Sequence, residues 1–119
     1  MATQDEVGIF LGDFKVKMSV FNILFRDNRM KNTQALLDFE ISWMRRREII
    51  ESISADDYSE GPLDDQLYGI ASMWVFGKYI KELEIYIKIS FGKPNGQVLC
   101  ISFHPSEYPM KYPFKKQIK

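Results

Sequence analysis

The chain has 119 residues, 45% of them apolar and 14% aromatic, and its formal net charge is zero. That length fits one domain, residues 1–119, with a real core. The neutral balance excludes a uniformly basic nucleic-acid binder. No apolar run reaches the roughly 20 residues needed to cross a membrane. The acidic opening MATQDEVGIF lacks the basic region and cleavage site of a signal peptide. Cys100 is the one cysteine, which excludes an internal disulfide framework or a multi-cysteine zinc site. Together these features predict a soluble, reduced, cytoplasmic protein with no membrane association. Charge is nevertheless uneven: Lys78 to Lys119 holds eight lysines against Glu82, Glu84 and Glu107, and Glu51 to Asp65 holds acids only. A basic C-terminal third either attracts phosphates or is an ordinary solvated surface.

Val7, Phe10, Leu11, Phe14 and Met18 recur at helical spacing and predict one buried stripe on a helix over Asp5–Met18. The apolar run Val20–Phe25 is short, aromatic and branched, and reads as a strand. Asn32-Thr33 offers a cap for a short helix over Gln34–Phe39. Ser42 caps a second one, with Met44, Ile49, Ile50 and Ile53 as its buried side. Arg45, Arg46 and Arg47 lie 100° apart in turn on such a helix. They cannot all face one ligand, and are expected to point largely to water. Ser54–Leu67 is acidic and irregular, with Gly61-Pro62 setting a turn. The tail 105–119 contains three of the five prolines and is expected to lie extended over the surface. The fold class predicted is α+β, with helices mainly over 5–55 packed on one face of an antiparallel sheet mainly over 73–104.

That sheet is the most informative part of the sequence. Ile85, Ile87, Ile89 and Phe91 alternate with Glu84, Tyr86, Lys88 and Ser90, and Leu99, Ile101 and Phe103 alternate with Cys100, Ser102 and His104. Pairing Ile89 with Leu99, Ile87 with Ile101 and Ile85 with Phe103 gives every apolar residue an apolar partner. Glu84, Tyr86, Lys88, Ser102 and His104 then share the opposite face. With Lys81-Glu82 as a turn, Trp74 meets Ile89, Phe76 meets Ile87 and Gly77 sits beside Tyr86. A glycine there either leaves room for a ligand or marks a bend. His104 is the only histidine, and histidine, lysine and tyrosine are groups that handle protons and negative charge at phosphates. A structural histidine at a strand end is the alternative. Aromatics interleaved with lysines suit single-stranded RNA. Cys100 on this face reads as a half-buried packing residue.

The order helix, strand, two short helices, acidic-aromatic loop and antiparallel sheet resembles the bacterial RelE-like toxins, in particular the MqsR (motility quorum-sensing regulator) mRNA interferases. RMKNTQALL (Arg29–Leu37), RREIIESISADDY (Arg46–Tyr58), EIYIKI (Glu84–Ile89) and ISFH (Ile101–His104) each resemble a family segment, in the family's order. Position by position, Tyr58 matches the loop tyrosine and Tyr86 the strand tyrosine. His104 stands at the family's last catalytic lysine. Ser59 replaces the lysine after the loop tyrosine, Val75 replaces the glutamine after the tryptophan, and 105–119 extends past the family's usual end.

The resemblance implies the toxin of a type II toxin–antitoxin system, an endoribonuclease that cuts single-stranded mRNA with no metal or other cofactor. The RNA's own 2′-OH attacks the adjacent phosphorus and leaves a 2′,3′-cyclic phosphate. On that reading His104 is the acid or base, Lys88 stabilises charge and Tyr86 orients or transfers a proton. Tyr58, Lys78 and Lys111 are further RNA contacts. The implied partner is a cognate antitoxin with a zinc-binding or DNA-binding domain, and the acidic loop Asp56–Asp65 is either a docking surface for it or an ordinary solvated loop. A non-catalytic toxin of the same fold and a small protein-binding module remain as competing readings.

Overall fold

The computed structural model describes residues 2–26, 42–64 and 71–115. Helix α1 runs over Gln4–Phe21, and α2 over Trp43–Glu51. The strands are β1 (Ile23–Phe25), β2 (Tyr58–Leu63), β3 (Met73–Ile80), β4 (Leu83–Ser90) and β5 (Val98–Pro105), with a single 3₁₀ turn at Ala55–Asp57 before β2. They form one five-stranded sheet in the order β1-β5-β4-β3-β2. The sheet is mixed and not purely antiparallel, because β1 runs parallel to β5. The helix proposed over Gln34–Phe39, its cap at Asn32-Thr33 and the whole of RMKNTQALL lie outside the described residues.

Helix α1 starts where the sequence provides a capping box. The Thr3 side chain accepts from the Glu6 N–H, and the Glu6 carboxylate accepts from the Thr3 N–H. Its buried residues are the predicted stripe, Val7, Phe10, Leu11, Phe14 and Met18. The strand expected over Val20–Phe25 is shorter than that: Val20 and Phe21 finish the helix. Asn22 then turns the chain at φ 69°, its N–H still bonded to the Met18 carbonyl at 2.8 Å. Asparagine tolerates this left-handed conformation better than most residues. Phe10 packs its ring on Trp74 at 4.4 Å and lies 4.8 Å from Phe91, which fixes α1 across β3 and β4.

Ser42 caps α2 as expected, accepting from the Arg45 N–H at 3.1 Å. Ile49, Ile50 and Ile53 are buried, but Met44 is 58% exposed. Arg46 takes the inward position instead and is 3% exposed, with its guanidinium carbon 3.9 Å from the centre of the Phe25 ring. Its apolar stem and flat cation let it cover an aromatic face, so it is not part of the solvated face the sequence predicted. The described part of the expected loop Ser54–Leu67, residues 54–64, is also more regular than its composition indicates. Tyr58–Leu63 joins the sheet as an edge strand, with register shifts on both sides of Glu60.

The β3–β4 hairpin has the predicted register: Trp74 opposite Ile89, Phe76 opposite Ile87, Gly77 opposite Tyr86 and Tyr79 opposite Glu84. Lys81 and Glu82 make the turn, both at positive φ. The β4–β5 register differs from the expectation. Ile87 meets Phe103, Lys88 meets Ser102 and Tyr86 meets His104, whereas Ile89 meets Cys100. Ile101 is an extra residue, a β-bulge between Cys100 and Ser102. Val98 and Cys100 therefore lie in the core beside Ile89, and Leu99 pairs with Ser90. Cys100 is fully buried in that core, not half-buried on the Tyr86 face. The assignment of Tyr86, Lys88, Ser102 and His104 to one face survives, because the bulge falls before Ser102.

Candidate functional site

The sheet face away from α1 is laid out in rows across three strands. Val75, Lys88 and Ser102 make one row, and Gly77, Tyr86 and His104 make the next. Side chains directly opposite on neighbouring strands are in contact range. The His104 ring accordingly stacks on Tyr86, with centroids 5.2 Å apart and planes 13° from parallel. The Lys88 ammonium lies 5.8 Å from the Tyr86 ring centre. His104 Nδ1 sits 2.8 Å from the Pro105 carbonyl oxygen. A carbonyl only accepts, so in this contact Nδ1 carries the proton and Nε2 is the basic nitrogen of the neutral ring.

Tyr86, Lys88, Ser102 and His104 form the floor of a cleft of about 560 Å³. One wall comes from β2, through Ser59 and Glu60, and the other from the tail, Ser106 to Lys111. Glu84 builds the tail wall. Its backbone carbonyl accepts from the Ser106 N–H at 2.8 Å. One carboxylate oxygen accepts from the Met110 N–H at 2.9 Å, and the other from the Tyr112 hydroxyl at 2.6 Å. Burial, then the hydrogen bond and charge of Glu84, push the Tyr112 phenol above its ordinary range, so it stays a donor. Gly77 makes the space for this contact. A Cβ there would stand 2.1 Å from the Tyr112 hydroxyl oxygen. The room expected beside Tyr86 is thus taken by the chain's own tail.

Of the residues singled out in the sequence, Tyr86, Lys88, His104 and Lys111 come together at this cleft. Tyr58 and Lys78 do not. Tyr58 is 0% exposed, in the core, and donates to the Gly61 carbonyl. Lys78 pairs with Ile85, on the core-facing side of β3, and forms an ion pair with Asp57 at 2.9 Å. Ser59, Glu60, Tyr108 and Met110 line the cleft without having been singled out for it. They come from a bulged edge strand and a proline-rich tail, where no periodicity shows which way a side chain points. Among the described residues, no group of three or more His, Cys, Asp or Glu side chains could hold a metal ion. None of the described helices is long and apolar enough to cross a membrane.

Fold and cleft define an α+β domain whose mixed sheet carries helices on one side and a small polar, aromatic site on the other. Compared with known proteins, the chain matches no family model, no curated protein and no solved structure.

Proposed function

We propose that the protein is an endoribonuclease of the RelE/MqsR type, the toxin of a type II toxin–antitoxin pair, cutting single-stranded RNA at this cleft. The observation that carries the reading is the stacked His104–Tyr86 pair with Lys88 beside it, on the floor of a cleft that Lys111 also lines. In the reaction the 2′-oxygen attacks phosphorus and the bond from phosphorus to the 5′-oxygen breaks. The products are a 2′,3′-cyclic phosphate and a 5′-hydroxyl. One proton leaves the 2′-OH and one reaches the 5′-oxygen. His104, with Nδ1 held by a carbonyl, is oriented to make one of these transfers through Nε2. The Lys88 ammonium stabilises the charge that builds on the phosphoryl oxygens. Tyr86 holds the imidazole plane and presents its own hydroxyl. The transfer that His104 does not make falls to the Tyr86 hydroxyl or to solvent water, so that the proposed metal-independent course balances with these groups and the RNA itself. Growth arrest on expression, and capture by a cognate antitoxin, belong to the same proposal.

His104→Ala is expected to lower RNA cleavage about 10²–10⁴-fold, the usual range for losing a proton-transfer group. Tyr86→Phe keeps the stack and tests the hydroxyl. Cleavage and growth arrest undiminished in both variants would remove this site from the reaction. A protein-binding reading has one observation in its favour, the exposed Ile9, Val16 and Val20 on the outer side of α1. Mapping 5′ ends of cellular RNA after expression separates the two: arrest with new ends supports cleavage, and arrest without them supports protein binding.

A further inference from the structure

We propose that Tyr108 is the base-stacking residue of the cleft, so that the substrate is captured through an unpaired nucleobase splayed onto the tail wall. This rests on the endoribonuclease reading above. Tyr108 is 78% exposed, yet it lines the cleft and is not carried on a loose end. The segment around it is closed at both sides on one residue: Ser106 N–H bonds the Glu84 carbonyl and Met110 N–H bonds the Glu84 carboxylate. Inside that loop the Ser106 hydroxyl donates to the Tyr108 carbonyl, and Pro109 restricts the next backbone angle. The ring is therefore presented to water by backbone that is already ordered. A ligand that covers it recovers the exposed apolar surface without having to order the loop first. A nucleobase has the flat shape and polarizable face that match a tyrosine ring, and Lys111 on the same wall supplies a cation for the neighbouring phosphate. Lys88 and His104 form the floor of the same cleft, where the scissile phosphate would sit.

The test is binding of the full chain to a short single-stranded oligoribonucleotide carrying 2′-O-methyl groups, which cannot undergo 2′-OH attack, measured by fluorescence anisotropy. Cleavage kinetics on the unmodified RNA run alongside. Tyr108→Ala is expected to weaken binding about 5- to 150-fold, the equivalent of one base–aromatic stack, and to raise KM with kcat nearly unchanged. Tyr108→Phe keeps the ring and is expected to bind like the parent protein. An alanine variant that binds as tightly as the parent, while the parent cleaves RNA, overturns the stacking role and leaves the ribonuclease reading standing. So does a phenylalanine variant as weak as the alanine one. A parent protein that neither binds nor cleaves RNA overturns both.

Discussion

Placing one methyl group on Gly77 would put a carbon 2.1 Å from the Tyr112 hydroxyl oxygen and 2.8 Å from two of its ring carbons. The ring cannot simply tilt away, because its hydroxyl is bonded to Glu84 and the chain on its N-terminal side is bonded there too. Gly77→Ala is therefore expected to destabilise the fold by about 1–3 kcal/mol, as overpacking does. In denaturant unfolding the double variant Gly77→Ala, Tyr112→Ala should be no less stable than Tyr112→Ala alone. Glu84 and Tyr112 also give the tail a pH dependence. The phenol's proton is held more tightly in the folded state than at its ordinary value of 10.0. The stability it contributes is then fully present below about pH 10 and falls as the pH rises above that. Unfolding midpoints of the parent should drop more steeply on the alkaline side than those of Tyr112→Phe. No sequence pattern foretold this latch. Gly77 beside Tyr86 was legible from strand parity, but the occupant of the gap lies 35 positions further along, in a stretch without periodicity.

Among the elements, α1 and the β3–β4 hairpin were readable. Helix α1 and strand β4 each have one face buried in a continuous core and a more exposed face opposite, so their apolar residues repeat at the element's own period. Strand β3, whose Val75 and Gly77 are buried on the cleft side too, took its register from the Lys81-Glu82 turn. Strand β5 breaks that rule. Every residue from Val98 to Phe103 is buried, so alternation of hydrophobicity carries no information about facing, and the bulge at Ile101 is invisible. Helix α2 hides its inward residue in another way. An arginine scores as solvent-facing by type, yet Arg46 lies flat on Phe25 and closes the space between α2 and the edge strand β1. Arg46→Ala should lower stability by about 1–3 kcal/mol, in the range of buried truncations. Arg46→Met should lose less, because it restores the apolar stem, and Arg46→Lys should lose more than Arg46→Met because an ammonium stacks poorly on a ring. Urea titrations of the three variants give that order or refute it.

At the scale of the molecule, the first and last parts of the fold depend on each other. Residues Ile23–Phe25 pair with Val98–Cys100, and α1 covers the core side of β3 and β4. Such pairing across most of the chain has no local signature in a sequence and is expected to make folding slow for a domain of this size. Removing residues 1–26 would strip away the five buried residues of α1. At roughly 1.5–3 kcal/mol each this is on the order of 10 kcal/mol, comparable with the whole stability of an ordinary domain. The truncated chain is expected to show no cooperative thermal transition by circular dichroism, and a sharp transition would show that the C-terminal strands fold alone. The bulge in β5 has a consequence of a different kind, for the gene and its descendants. Because Ile101 stands opposite no residue of its own, losing its codon leaves a strand of regular alternation in which Cys100 still faces inward and Ser102 and His104 still face the cleft. Losing the codon for Phe103 instead turns His104 into the core. A lineage can therefore lose that one codon without the histidine changing sides.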